Sequence, residues 1–260
     1  MSKITALATM KGGVGKSMLA VQIATTLATE HNKKILFIDV DPQTNSTNYF
    51  GVDEFEEGYK GFRDALENNL NPEECVRKTN IEGVDILGSD IYVTALDFKL
   101  FQMPARETRL KTYIENHKEF FDKYDAILMD TNPSMSLINQ NTFAACDNII
   151  LVATPSMGSA KGLDLFSELW SGIATALGMD NKIKAIALNM VTERTNITKH
   201  FREYINASEY ANITLDNYIT ESTVFKNAEA SANPLEILKN KRYGSQIKNM
   251  VNELIEREVL

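Results

Sequence analysis

The strongest constraint on the fold is a glycine-rich segment that directly follows a short apolar run. Ile4 to Thr9 is mostly apolar, and Met10-Lys11-Gly12-Gly13-Val14-Gly15-Lys16-Ser17 comes next. Apolar residues then recur at helical spacing from Leu19 to Leu27. A strand, a glycine turn and a helix in this order point backbone N–H groups into one concavity at the helix N-terminus, where anions bind. The segment therefore predicts a phosphate-binding loop.

Short apolar runs separated by helical segments extend along the rest of the chain. Near-continuous hydrophobicity is typical of strands buried on both faces, and alternation with helices indicates right-handed βαβ units. We expect an α/β fold of the P-loop type: a single domain over residues 1–260, with a mostly parallel twisted sheet and helices on both faces. The predicted strands are Ile4–Thr9, Ile35–Asp39, Val84–Leu87, Ala126–Asp130, Ile149–Ala153 and Ile183–Leu188.

Composition excludes several classes of protein. The chain has 260 residues and a formal net charge of −8, so it is not a uniformly basic nucleic-acid coat. It contains no apolar run near the roughly 18 residues that a membrane-spanning helix requires. Its two cysteines, Cys75 and Cys146, are far apart, which argues against a disulfide framework or a paired-cysteine metal site. A reducing cytoplasm is the expected compartment.

The glycine loop departs from the general P-loop pattern. That pattern requires glycine five residues before the glycine of its Gly-Lys pair, and Met10 stands there. Lys16 can still reach the β and γ phosphates of a nucleotide, and the Ser17 hydroxyl can bind Mg²⁺. A second lysine, Lys11, precedes the paired glycines.

With this second lysine, KGGVGKS resembles the deviant Walker A motif of the ParA/MinD group of P-loop ATPases. The resemblance extends over nearly the whole chain and implies MgATP as the ligand. It also implies an ATP-dependent homodimer in which Lys11 reaches the phosphates bound by the partner. The residues that it assigns to the nucleotide are Lys11, Gly12, Gly13, Val14, Gly15, Lys16, Ser17, Met18 and Asn189.

Two strand ends carry further motifs of this group. Asp39-Val40-Asp41-Pro42-Gln43 resembles its DxDPQ segment, which assigns Asp41 to the attacking water near the metal, whereas Asp39 either supports the loop or caps a turn. Ile127-Leu128-Met129-Asp130 resembles Walker B and predicts that Asp130 holds Mg²⁺ through water. The chain continues Thr131-Asn132-Pro133 where the family often has Thr-Pro-Pro. Asn189 either binds adenine or is an ordinary strand-end asparagine.

The resemblance to ParA implies DNA partitioning. The loop begins by residue 11, so we expect no N-terminal helix-turn-helix extension and therefore non-specific DNA binding. Such binding requires a local basic surface. Residues 182–202 contain five basic residues and one acidic residue. The predicted DNA contacts are Lys199, Arg202, Lys226, Lys239, Lys241 and Arg242. An ordinary solvated face is the competing interpretation of these residues.

The leading hypothesis is a cytoplasmic, nucleoid-associated partition ATPase. It dimerises with MgATP, binds DNA, and hydrolyses ATP slowly when a ParB-like centromere-binding protein stimulates it, with Lys11, Lys16 and Asp41 as catalytic residues. The alternative is a MinD-like membrane-associated regulator. The last apolar helical segment, Ile247 to Ile255, has acidic neighbours that anionic lipid would repel, so we expect it to dock onto the sheet rather than a membrane. An iron–sulfur carrier and an ATP-dependent ligase are further alternatives.

Overall fold

The computed structural model describes residues 2–260 and contains one seven-stranded sheet. The strand order is β3-β4-β2-β5-β1-β6-β7, and only β3 runs antiparallel to its neighbour. The expected α/β class with a mostly parallel sheet is confirmed, and every predicted strand forms within one residue of its predicted ends. The strands are β1 (Lys3–Ala8), β2 (Ile35–Asp39), β3 (Arg77–Lys78), β4 (Val84–Leu87), β5 (Ala126–Asp130), β6 (Asn148–Ala153) and β7 (Ile183–Leu188).

Helices connect the strands and cover both faces of the sheet. A 3-10 turn, Glu209–Asn212, follows α10. The helices are α1 (Lys16–His31), α2 (Asn45–Tyr49), α3 (Phe62–Asn68), α4 (Pro72–Cys75), α5 (Val93–Phe101), α6 (Arg109–Asn116), α7 (Lys118–Phe121), α8 (Leu137–Ala145), α9 (Met157–Ala176), α10 (Asn196–Asn206), α11 (Thr223–Ala230), α12 (Leu235–Lys239) and α13 (Lys241–Glu256).

Two apolar clusters lie on opposite faces because successive strand residues point to opposite sides. In β2, Leu36 and Ile38 face the cluster formed with α5, α6, α8 and α9. Ile35 and Phe37 face the cluster formed with α1 and α13. All four side chains are fully buried, as the apolar sequence of a two-sided strand predicts.

The apolar face of α13 lies in the same cluster as α1, so the expectation that this segment docks onto the folded core is confirmed. Ile247, Met250, Val251 and Leu254 are at most 1% exposed. Beyond α13, the Val259 carbonyl accepts hydrogen bonds from two strand residues, the Thr5 hydroxyl and the Asn148 amide, which fix this segment to the start of the sheet. Within residues 2–260, no helix combines the length and apolarity needed to cross a membrane.

The parallel strands all end at one edge of the sheet, and this arrangement positions the site. Asp39 and Asp130 are register partners at the ends of adjacent strands β2 and β5. The glycine loop leaves β1, the other neighbour of β5. Ligands of open α/β sheets bind in the crevice at the carboxyl ends of such strands.

Candidate functional site

The glycine loop joins β1 to α1 as a tight turn. Gly13 and Gly15 have φ angles of +75° and +74°, a region that side chains with a Cβ rarely adopt. Gly15 also lies against the two residues that follow β7, since a Cβ atom there would stand 2.5 Å from the Asn189 amide nitrogen and 2.9 Å from the Met190 methyl carbon. Backbone conformation and space therefore both require glycine at position 15.

Lys16 and Asp130 form a buried ion pair at the base of the loop. Their side chains are 5% and 0% exposed, and the Lys16 ammonium donates to one carboxylate oxygen of Asp130. The other oxygen accepts a hydrogen bond of 2.7 Å from the Ser46 hydroxyl, which comes from α2. The Asp130 charge is thus both paired and hydrogen-bonded, as a buried charge must be.

Asp39 is buried beside Asp130. Burial, with the charge of Asp130 acting in the same direction, raises the pKa of Asp39 to about 7. Hydrogen bonds oppose this shift: the carboxylate accepts from the N–H of Asp41 (3.1 Å), the N–H of Thr47 (2.9 Å) and the Thr47 hydroxyl (2.7 Å). Asp39 therefore fixes the segment from Asp41 to Thr47, which favours the loop-supporting role over a simple turn cap.

Asp41 faces the crevice at the start of that segment. It is 5% exposed, and one of its oxygens accepts from the N–H of Gln43 at 2.9 Å. Burial raises the pKa of the Asp41 carboxyl above its usual value, whereas the Gln43 hydrogen bond and the Lys16 charge act against the rise. A carboxylate with a raised pKa is a better proton acceptor for a nearby water.

A cavity of about 740 Å³ opens over the glycine loop. Ten of the residues predicted for the nucleotide and its hydrolysis line it together: the nine assigned to the nucleotide, and Asp41. Asp130 lies beneath, joined to the cavity wall through Lys16. The other wall comes from the residues after β7 and from α11, and it includes Met190, Phe225, Lys226 and Glu229. The size falls within the usual range for small-molecule sites.

Lys11 and Asn189 make specific contacts at the two sides of the loop. The Lys11 ammonium donates to the Ser156 hydroxyl at 3.0 Å, at the N-cap of α9. The amide nitrogen of Asn189 donates to the Val14 carbonyl at 2.8 Å. The amide oxygen of Asn189 is buried and has no partner among residues 2–260, so it remains available as an acceptor.

The donor groups fit a magnesium ion of the kind that phosphate sites bind. Mg²⁺ usually keeps several waters and uses one or two carboxylates with substrate phosphates, and does not require a complete protein cage. The Ser17 hydroxyl and the Asp41 carboxylate line the cavity, and the Asp130 carboxylate lies beneath it, bonded to Lys16. Residues 2–260 contain no cluster of three or more His, Cys, Asp or Glu side chains that could hold a metal by themselves.

The predicted DNA contacts lie on α10 to α13, and all six are exposed. None of them forms an ion pair among residues 2–260. Arg202 stacks on Tyr218 at 4.8 Å, and Arg242 lies over Tyr243, whose ring contacts Phe225 of α11. Lys226 also lines the nucleotide-sized cavity, a location that the sequence pattern did not indicate.

Part of the basic segment after β6 is structural. The Lys182 ammonium is partly buried and donates to the carbonyls of Phe143, Ala144 and Cys146, where α8 ends. Its charge is therefore used to cap a helix C-terminus, a favourable place for a cation. The local excess of basic residues in the sequence overstates the basic charge that reaches the surface.

Sequence reasoning missed the hydroxyl groups that hold the carboxylates. Ser46 and Thr47 follow the Asp-Pro-Gln segment, and each donates to a different strand-end aspartate. Ser156, the partner of Lys11, was also missed. The only signal in the sequence was two adjacent hydroxyl residues shortly after a carboxylate motif, which is too common to indicate a role.

Both cysteines are buried and free, Cys75 on α4 and Cys146 after α8. Burial raises the pKa of the Cys146 thiol to about 12, and its sulfur donates to the Phe143 carbonyl. These are properties of core thiols. They offer no support for the iron–sulfur alternative.

Comparisons of the sequence with known proteins find a family profile and curated relatives. A family profile described as an AAA domain matches residues 2–185. The sporulation initiation inhibitor protein Soj of Bacillus subtilis is 28% identical over 213 residues, covering 79% of this chain and 82% of Soj. The virulence plasmid ParA family protein pGP5-D of Chlamydia psittaci is 27% identical over 252 residues, covering 97% and 94%.

The solved structures share the fold. A putative plasmid partition protein from Borrelia burgdorferi B31, bound to AMPPNP, superposes with a TM-score of 0.82 at 23% identity, covering 99% of this chain and 100% of that one. At this identity the likeness concerns the fold, and it extends over the full length of both chains.

Proposed function

The chain belongs to the AAA domain family and, within it, to the ParA/Soj-type partition ATPases, and from this premise we propose that it is a DNA-partitioning switch. It dimerises with MgATP, binds DNA non-specifically, and hydrolyses ATP slowly. A ParB-like centromere-binding protein stimulates hydrolysis and thereby release from DNA. The protein acts in the cytoplasm, on the nucleoid.

The observation that carries the proposal is the arrangement of charge around one cavity. The glycine loop, Lys11 and Lys16 supply positive groups for phosphates, and Asp41 faces the same space. The Asp130 carboxylate, which could bind a metal ion, is paired with Lys16 and buried directly under the loop. Phosphoryl transfer depends mainly on positioning and charge stabilisation, and these residues can provide both.

In the proposed reaction, water attacks the γ phosphorus of ATP, and the bond to the bridging oxygen breaks so that ADP leaves with its electron pair. Asp41 holds the water and accepts its proton, which its raised pKa favours. Lys16 and Lys11 offset the charge on the phosphate oxygens, Lys11 after leaving Ser156. The Asn189 amide oxygen is a suitable acceptor for the adenine amino group. When bound, Mg²⁺ neutralises charge that develops on the phosphates.

The exposed cations support the DNA-binding part of the proposal. Six exposed basic side chains on α10 to α13 can contact phosphates without reading sequence. Lys226 belongs to both the cavity wall and this basic set, so nucleotide in the cavity and DNA on the surface compete for or share one side chain. This arrangement provides a direct route by which nucleotide state changes DNA affinity.

Gel shifts at several salt concentrations, with ATP and with ADP, test the switch. We expect binding to unrelated DNA sequences with ATP, weaker binding with ADP, and a steep loss of affinity as salt increases. DNA binding that ignores the nucleotide would contradict the proposal.

Asp41→Ala tests the catalytic assignment. The variant should still form ATP-dependent dimers on DNA but lose turnover, since it lacks the carboxylate that holds the attacking water and keeps the glycine loop and both of its lysines for the phosphates. Phosphate release and DNA retention are measured in parallel, with the exposed Asp53→Ala as the matched control that keeps turnover. Undiminished hydrolysis by Asp41→Ala would remove Asp41 from this role.

A further inference from the structure

Two adjacent hydroxyl groups at the start of α2 bind the two carboxylates that end β2 and β5. The Ser46 hydroxyl donates to Asp130 and the Thr47 hydroxyl donates to Asp39, each at 2.7 Å. Ser46 and Thr47 are both completely buried. The segment that begins at Asp41 is therefore attached to both strand ends through side chains.

The two hydroxyls have different consequences for the fold. Thr47 is held by three contacts: its N–H and its hydroxyl donate to Asp39, and its hydroxyl oxygen accepts from the Ser89 N–H at 2.9 Å. These bonds anchor α2 without help from Ser46. The Ser46 side chain makes one hydrogen bond, and its partner is Asp130.

Asp130 has one oxygen on Lys16 and the other on Ser46. In the proposed reaction the Lys16 ammonium turns from Asp130 to the phosphates. The hydrogen bond from Ser46 is then the side-chain contact that still orients the Asp130 carboxylate. Groups that hydrogen-bond to a metal-binding carboxylate set its direction, and their loss typically costs about 10–100-fold in metal affinity.

We propose that Ser46 is a positioning residue for the Mg²⁺ carboxylate Asp130. The inference rests on the proposed function, because it assumes that the cavity binds MgATP. Through Ser46, the position of the metal carboxylate depends on the segment that carries Asp41, so a shift of that segment changes metal binding together with water positioning.

The test is a titration of Mg²⁺ against the binding of a fluorescent ATP analogue, mant-ATP, by the full-length protein. Ser46→Ala should raise the Mg²⁺ concentration for half-maximal binding about tenfold. Affinity for the analogue in EDTA should stay at the wild-type value. Ser89→Ala is the matched control, because Ser89 is equally buried and its hydroxyl has no partner among residues 2–260. This control should titrate like the wild type.

Each outcome decides the inference. A wild-type Mg²⁺ midpoint in Ser46→Ala would overturn it, as would a lowered melting temperature with no change in that midpoint. Should the alanine variant not fold, Ser46→Cys keeps the size with a weaker donor and is expected to give an intermediate midpoint. A wild-type protein whose mant-ATP binding shows no Mg²⁺ dependence would instead overturn the proposed function, and this inference with it.

Discussion

At the carboxyl ends of β2 and β5 the charged side chains are buried and bonded, whereas the six basic side chains predicted to contact DNA are exposed and form no ion pair within residues 2–260. Asp39 and Asp130 are both 0% exposed, and together they accept from Lys16, Ser46 and Thr47. The difference lies in what one substitution does. When one member of a buried network is removed, the charge or polar group of its partner stays buried without a compensating contact. When one exposed basic side chain is removed, the others remain solvated as before.

The largest effect is expected from breaking the buried ion pair. Lys16→Met leaves Asp130 charged, buried and without its cation, and removal of one such partner typically lowers the free energy of unfolding by about 3–5 kcal/mol. Lys16→Met with Asp130→Asn should recover most of that loss, because the uncompensated charge is gone. Urea denaturation at pH 7 measures all three proteins. If the free energy of unfolding of Lys16→Met stays within about 1 kcal/mol of the wild-type value, the buried network tolerates substitution as well as the exposed surface does.

The next effect is a pH dependence from Asp39. Its pKa is raised from 3.8 to about 7 on folding, so between these values the native state holds a proton that the unfolded chain has released. The free energy of unfolding therefore falls as pH rises through this window, by at most about 1.4 kcal/mol per pH unit. Asp39→Asn should flatten this slope in thermal melts from pH 5 to 7.5, whereas the exposed Asp53→Asn should keep it. Equal slopes in wild type and Asp39→Asn would refute the assignment.

The smallest effects are expected on the exposed surface. Lys199→Ala, Lys239→Ala and Lys241→Ala should each weaken DNA binding about threefold and reduce the salt slope by about one, because each removes one cation from the phosphates. Their melting temperatures should be unchanged. Lys248→Ala is the control, since Lys248 pairs with Glu30 at 2.9 Å. An equal decrease of DNA affinity in the control would indicate that the overall charge of the protein, and not this particular surface, determines DNA binding.

Sequence patterns predicted most of the framework because the signals are local. β2 is fully buried, and its sequence is an uninterrupted apolar run that ends in Asp39, so both ends of the strand could be predicted correctly. The glycine loop could be recognised because its conformation requires glycine at Gly15. Helix ends are a weaker signal: apolar residues recur at helical spacing from Leu110 to Phe121, yet they form two short helices, α6 and α7, that meet at His117.

The connections within the site could not be predicted in the same way. Ser46 and Asp130 are 84 residues apart, and Lys11 and Ser156 are 145 apart. Such contacts depend on which strand ends become neighbours. Strand order places β5 between β1 and β2, and an isolated apolar run does not encode that order. The exposed basic residues could be proposed from charge alone, but their relation to the cavity, as for Lys226, required the fold.

The packing of α1 against α13 has a consequence for synthesis of the protein. α1 begins with Lys16, and part of its apolar face packs against α13, which starts at Lys241. At about 5–20 residues per second, a ribosome takes roughly 10–40 s to travel between these helices. During this interval the nascent helix that carries the phosphate loop has an uncovered apolar side. The helix that carries the phosphate loop is thus translated well before α13, one of the helices that pack against it, and the nascent chain must stay unaggregated for that whole interval.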